Sequence, residues 1–277
     1  MSASPSSQDR SAIVITLRAA GCVFAEDEAE LLITAAQTPG ELDDLVKQRA
    51  AGLPLEYVLG WAEFCGLRIA VEPGVFRPRP RTEFLVSEAI GLASGAESSA
   101  GQPIVVVDLC CGSGALGAAL AAALPEVELY AVDLDPAAVQ CARRNVAAAG
   151  GQVYEGDLYE PLPATLLGRV DLLVANAPYV PSEEIELMPP EARLHEPRMS
   201  LDGGADGLDV LRRVVTSAPR WLAHSGHLLV ESSKRQAPQL VEALAGTGLI
   251  PRVATSDELN ATIVIGTLPV PLGDQRD

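Results

Sequence analysis

The chain has 277 residues and is 48% hydrophobic, enough to bury one full core and a smaller second unit. Its formal charge of −17 argues against a groove that tracks nucleic-acid phosphates, which needs clustered Lys and Arg, so nucleic acid is not expected as a substrate. The cysteines are odd in number and lack CxxC spacing, which excludes a disulfide framework or zinc site and fits a reducing cytoplasm, while no apolar run is long enough for a signal core or membrane span.

Residues 1–10 are polar and aperiodic and are expected to be a disordered tail. Residues 27–36 read as a helix, and Thr38-Pro39-Gly40-Glu41 then supplies a cap, a first-turn proline and a carboxylate three positions on. Leu42, Leu45, Val46 and Arg49 to Ala50 share a face of the helix that follows, and residues 54–59 form a short helix closed by Gly60. Residues 61–71 alternate as a strand pair, residues 73–80 form a Pro-stiffened linker, and Thr82 is placed to cap a helix over 83–92. The stretch 94–103 reads as a flexible loop.

The segment IVVVDLCCGSGALG (104–117) is a strand covered on both faces, ending in a carboxylate and running into a glycine turn and a small-residue helix. Gly112, Gly114 and Gly117 also satisfy the GxGxxG pattern of dinucleotide binding, which is weak evidence alone. Asp108 would repel a pyrophosphate and attract the ammonium of a methionine moiety, so its charge favours S-adenosylmethionine over NAD. The strand VELYAVDLD ends in Asp133, 19 positions after Gly114, where ribose hydroxyls of either cofactor would need a charged acceptor. QVYEGDL (152–158) ends in Asp157, a possible acceptor for an adenine amino group, and DLLVANAPY (171–179) ends in Asn176-Ala177-Pro178-Tyr179. Asp135-Pro136 reads as a cap and first-turn proline for a helix running to Ala149. Residues 180–205 lack periodicity and read as a substrate-covering loop, in which His195 holds the loop rather than moving protons. An amphipathic helix from Asp206, a buried strand at 226–232, a helix at 236–244, a strand at 261–267 and a polar tail complete the chain.

Taken together, DLCCGSG, NAPY, GWAEFCGLRIAV (60–71), FRPRPRTEFLV (76–86), HEP (195–197) and LDGGADGLDVLRRV (201–214) resemble the HemK/PrmC group of class I methyltransferases over almost the whole chain. That group methylates the side-chain amide of a glutamine in protein substrates. The resemblance implies an α/β Rossmann-like sheet of seven strands, the last antiparallel, with a small N-terminal helical domain. It implies a substrate-recognition unit over 1–72 with its linking hairpin, and a methyltransferase unit over 73–277. Asp108, Cys110, Cys111, Gly112, Ser113, Gly114, Asp133, Leu134, Asp157, Leu158 and Asn176 would hold S-adenosylmethionine, the two cysteines acting as small fillers beside it. Asn176, Ala177, Pro178 and Tyr179 would form the catalytic motif, and Phe76, Arg77, Pro78, Arg79 and Glu196 the substrate pocket.

The implied reaction is transfer to glutamine N5 of a release factor or ribosomal protein in the cytoplasm, without a metal or a membrane. The alternative is an adenine-N6 or small-molecule amide or amine methyltransferase. The chain departs from the group in three places: Ala177 replaces a proline, Arg81 stands where an acidic residue is usual, and Glu231-Ser232-Ser233 replaces a Glu followed closely by Gly.

Overall fold

A computed structural model of the protein describes residues 7–95 and 102–271. Four helices lead: α1 (Ser7–Ala19), α2 (Ala25–Ala35), α3 (Pro39–Ala50) and α4 (Leu55–Leu59). Helix α1 corrects the expected tail, whose residues 7–10 form its first turn. Ile13 and Leu17 lie one turn apart and bury against Ala25, Ala29, Leu32 and Val58, so tertiary packing orders a segment with no period at its start. Residues 1–6, 96–101 and 272–277, covering the rest of that tail, most of the flexible loop and the end of the C-terminal tail, lie outside the described residues. The start of α3 is as expected: Thr38 Oγ1 accepts from Glu41 N at 3.2 Å, and Glu41 Oε2 accepts from Gln37 N at 2.7 Å. Gly60, at φ 77°, closes α4 in a left-handed conformation that glycine adopts without strain.

Strands β1 (Trp61–Phe64) and β2 (Leu67–Ala70) pair antiparallel as a hairpin. After the linker, a 3-10 turn at Pro80–Thr82 leads into α5 (Glu83–Gly95). Thr82 does not cap this helix. The 3-10 turn already starts it, which frees the buried hydroxyl to donate to Glu231.

The remainder is one sheet with helices on its faces. Its strands are β3 (Ile104–Leu109), β4 (Val127–Asp133), β5 (Gln152–Glu155), β6 (Val170–Ala175), β7 (Leu222–Ser232), β8 (Ile250–Ser256) and β9 (Ala261–Thr267). The helices are α6 (Ala115–Ala123), α7 (Pro136–Val146), α8 (Pro190–His195), α9 (Asp209–Ser217) and α10 (Ala237–Gly246). Strand order is β5-β4-β3-β6-β7-β9-β8, parallel through β7, with β9 antiparallel to both neighbours. The order reverses between β3 and β6, and such a switch point opens a crevice at the carboxyl edge of a doubly wound sheet.

Three local expectations change. Helix α7 ends at Val146, and a 3-10 turn carries the chain to Ala149. Strand β8 has no counterpart in the sequence reading: as an edge strand it buries only Ala254 and shows no alternation. The stretch 180–205 is structured, with α8, 3-10 turns at Ile185–Leu187 and Arg198–Ser200, and a bridge between Val180 and Asp202. Each element there is shorter than two turns and interrupted by Pro189, Pro190 or Pro197, too short for a period to show. Among the described residues no helix is long and apolar enough to cross a membrane.

Candidate active site

Two clefts meet at the carboxyl ends of β3 and β6. The first opens onto about 720 Å³ and is lined by Phe76, Cys110, Gly112, Asp133, Leu134, Asp157, Leu158, Asn176 and Pro178, together with Met199, Ser200, Val210 and Arg213. The second, about 770 Å³, is lined by Phe76, Arg77, Arg79, Arg81, Asn176, Ala177, Pro178, Tyr179, Met188, Glu191 and Ser200 among others. Phe76, Asn176 and Pro178 face both. A narrower recess beside Phe76 is bounded by Pro78, Thr82, Cys111, Ser113 and Asn176.

The glycine loop is built for close approach. Cys110 (φ 54°), Gly112 (φ 54°) and Gly114 (φ 76°) all take left-handed backbone, so the chain turns sharply off β3. A Cβ on Gly114 would lie 3.0 Å from Ala142 Cβ, which locks the loop against α7. Asp133 holds the loop from the next strand: Oδ2 accepts from Gly112 N at 2.8 Å and Oδ1 from Asp135 N at 2.9 Å. Burial pushes its pKa up, offset in part by those amides. Asp133 lines the cleft, and a carboxylate oxygen with one donor can still accept from a ribose hydroxyl. We expect Asp133→Ala to weaken S-adenosylmethionine binding by about 1.5 to 3 kcal/mol in calorimetry, the scale for hydrogen bonds to a charged group; unchanged affinity would sink that role.

Asp108 sits beneath the loop. It is fully buried behind the loop and does not line the open cleft. Its Oδ2 accepts from Gly117 N at 3.0 Å, tying α6 to β3, while Oδ1 has no partner. Burial, with a smaller contribution from the charge of Asp133, raises its pKa to about 7. A cation above the loop would compensate that uncovered oxygen, so the site fits a ligand carrying an ammonium, S-adenosylmethionine rather than a pyrophosphate.

The sign of the pH effect follows. The unfolded carboxyl titrates near its ordinary value and the folded one near 7, so the folded chain holds the extra proton between them. The stabilising contribution is full at low pH and is lost as pH rises through 7. Asp108→Asn should therefore gain more stability over the parent at pH 8 than at pH 5, by on the order of 2 to 3 kcal/mol. Thermal melts at the two values check it.

Other expected residues fall as follows. Asp157 lies two residues beyond the end of β5, and Arg213 Nη2 on α9 donates to its Oδ2 at 2.7 Å, so an adenine amino group would share it with a cation that sequence reasoning missed. Leu158 sits beside it, buried, in left-handed backbone. Cys111 packs into the core against Ala131 and Ala142, and burial raises both loop thiols far from reactive thiolates. Glu196 is not a lining residue of the substrate cleft: its fully buried carboxylate lies behind, accepting from Arg77 Nε at 2.9 Å and Arg79 Nη2 at 2.5 Å. The Tyr57 hydroxyl donates to the Val75 carbonyl at 2.7 Å, and the His195 carbonyl lies 3.5 Å from it.

Behind the motif 176–179 lies Glu231, at the end of β7 and 1% exposed. Arg81 Nε and Tyr179 Oη donate to its Oε1, each at 2.9 Å, and Thr82 Oγ1 donates to Oε2 at 2.5 Å. Asn176 Nδ2 in turn donates to Thr82 Oγ1 at 3.2 Å, and Gln236 Nε2 donates to the Tyr179 carbonyl at 2.9 Å. Arg49, on the apolar face of α3, is buried. It clasps Glu28 through Nε (2.6 Å) and Nη2 (3.0 Å), and its Nη1 reaches Glu191 on α8 at 2.7 Å. Helical spacing puts it on that face but does not name its partners. Among the described residues no group of three or more His, Cys, Asp or Glu is arranged to hold a metal ion.

Comparison with known proteins gives consistent results. Residues 97–189 match the Methyltransferase small domain family. A solved 16S rRNA N2 G1207 methyltransferase from T. thermophilus, in complex with AdoMet and guanosine, shares the fold at a TM-score of 0.52 and 21% identity, over 75% of this chain and 49% of that one. A 4-amino-L-phenylalanine/4-methylamino-L-phenylalanine methyltransferase of Streptomyces pristinaespiralis is 33% identical, covering 84% of this chain and 78% of that protein. The release factor glutamine methyltransferase of Geobacter sulfurreducens is 40% identical over 80% of this chain and 75% of its own length, and that of Mycolicibacterium smegmatis 38% over 90% and 92%. Identity of 38 to 40% sustained over at least three quarters of each chain, on a sheet whose cleft fits S-adenosylmethionine, makes this chain a class I methyltransferase belonging to the release factor glutamine methyltransferase family, the HemK/PrmC group.

Proposed function

We propose that the protein methylates the N5 amide nitrogen of a glutamine in a peptide-chain release factor, in the cytoplasm. The observation that carries this reading is the position of Asn176, which faces both the cofactor cleft and the arginine-lined cleft beside it. An amide nitrogen is a poor nucleophile because its lone pair is delocalised into the carbonyl, so positioning is most of the work. Asn176 Oδ1 and the main-chain carbonyl of Ala177 supply two acceptors for the two amide hydrogens, with Tyr179 flanking the amide plane. S-adenosylmethionine, when bound, supplies an electrophilic methyl group on its sulfonium. The nitrogen's proton becomes acidic once the methyl is transferred and leaves to water, so no side chain need act as a base.

In this reading residues 1–72 form the recognition unit and 73–277 the methyltransferase unit. The first carries 5 Lys and Arg against 11 Asp and Glu, a charge that favours encounter with a basic protein. Ala177 keeps the carbonyl that the usual proline would offer and is buried, so the departure leaves the acceptor pair intact. Arg81 favours a second reading, methylation of a small amine that also bears a carboxylate: its guanidinium is half-exposed in the substrate cleft, with only Nε engaged by Glu231. The deciding experiment incubates the protein and labelled S-adenosylmethionine in parallel with a purified bacterial release factor, a mixture of amino acids and bacterial nucleic acid, followed by mass spectrometry of each. Label on a glutamine is expected. Label only on an amino-acid amine would put the second reading in its place, and label on nucleic-acid adenine would exclude both.

A further inference from the structure

The hydrogen bonds behind Asn176 run in one direction. As a carboxylate Glu231 can only accept, and Thr82 spends its single hydroxyl hydrogen on Glu231 Oε2. Toward Asn176 the threonine oxygen is therefore left to accept, and Asn176 Nδ2 donates to it at 3.2 Å. With its nitrogen held against Thr82, the carboxamide turns Oδ1 the other way.

We propose that Glu231 and Thr82 are positioning residues that fix the orientation of the Asn176 carboxamide, so that it offers the substrate an acceptor and selects a primary amide over a carboxylate. Arg81 Nε and Tyr179 Oη, both on Oε1, keep Glu231 an acceptor and leave Oε2 to Thr82 alone. A glutamine at 231 can donate where the carboxylate cannot. Thr82 would then accept from it and donate onward to Asn176 Oδ1, turning the carboxamide over and aiming Nδ2 at the incoming amide hydrogens. The inference rests on the glutamine reading above.

The test uses full-length protein with two forms of a purified bacterial release factor, one carrying its methyl-accepting glutamine and one with glutamate in its place. Glu231→Gln and Thr82→Val should each lower kcat by about 30- to 100-fold, the scale for misplacing one positioned polar group, with cofactor affinity near the parent's. Thr82→Ser, which keeps the hydroxyl, should recover most of the rate. The parent should bind the glutamate form, measured as a competitive inhibitor, at least about 10-fold more weakly than the glutamine form, and Glu231→Gln should erase most of that preference. Neutron diffraction should find the Asn176 amide deuterons against Thr82 in the parent and turned away in Glu231→Gln. A Glu231→Gln protein with parental rate and preference, or an unturned amide, overturns the proposal. If the parent never methylates the glutamine, the functional reading fails separately, and the neutron comparison alone decides: a turned amide supports the orientation role, an unturned one refutes it.

Discussion

Asn176→Ala should slow methyl transfer by about 100-fold or more, because an amide hydrogen is left unpaired in a closed site and the nitrogen loses one of its two guides. Cofactor affinity should change far less, since Asp133 and the glycine loop remain in place. Single-turnover transfer and calorimetry on the same preparation separate the two, and an equal fall in both would mean that Asn176 mainly holds the cofactor. The same logic applies from the substrate side. Glutamate at the target position removes both hydrogens and sets a carboxylate against two carbonyl oxygens, so methylation of that variant should be undetectable.

The second large effect is on stability. Arg49→Met should cost about 3 to 5 kcal/mol, because it strands the buried Glu28 carboxylate and releases Glu191. On a chain of this size that corresponds to a melting temperature lower by on the order of 10 °C. Arg49→Lys should recover little, as one ammonium cannot reproduce the two-point clasp on Glu28 while reaching Glu191 and the Leu53 carbonyl. A double variant, Arg49→Met with Glu28→Gln, should regain part of the loss. A single variant that melts with the parent would show that these charges contribute nothing net.

Much of the sheet was legible because its strands are covered on both faces. Apolar runs such as 104–107 and 172–175 announce burial, and a carboxylate or an asparagine just after a run marks the edge where ligands bind. The cap at Thr38 was equally plain, since a cap is a local event among four residues. What escaped was fixed from afar. Helix α1 owes its order to apolar contacts with α2 and α4, and β8 is an exposed edge with one buried side chain.

The same holds in the site. Gly112, Gly114, Asp133 and Asn176 carry local signatures, whereas Arg213, Arg49 and Glu231 act through partners far away in sequence, which no spacing rule identifies. Asp108 is legible as a strand-end carboxylate, but its depth is not. A charge at a strand end looks the same in sequence whether it faces the ligand or lies beneath the loop.

Glu231 also bears on how the chain reaches its working form. Its bond to Thr82 spans 149 positions, and the link from Asn176 to Thr82 spans 94. Contacts of such separation carry a large loop-closure entropy and form late, once β6 and β7 already lie side by side. Helical signal should therefore return early on dilution from denaturant, whereas transferase competence should return only with the slowest phase. In a growing polypeptide, a molecule cut short before β7 would have the glycine loop and Asn176 but not the anchor that orients them, so an incomplete copy would be catalytically silent.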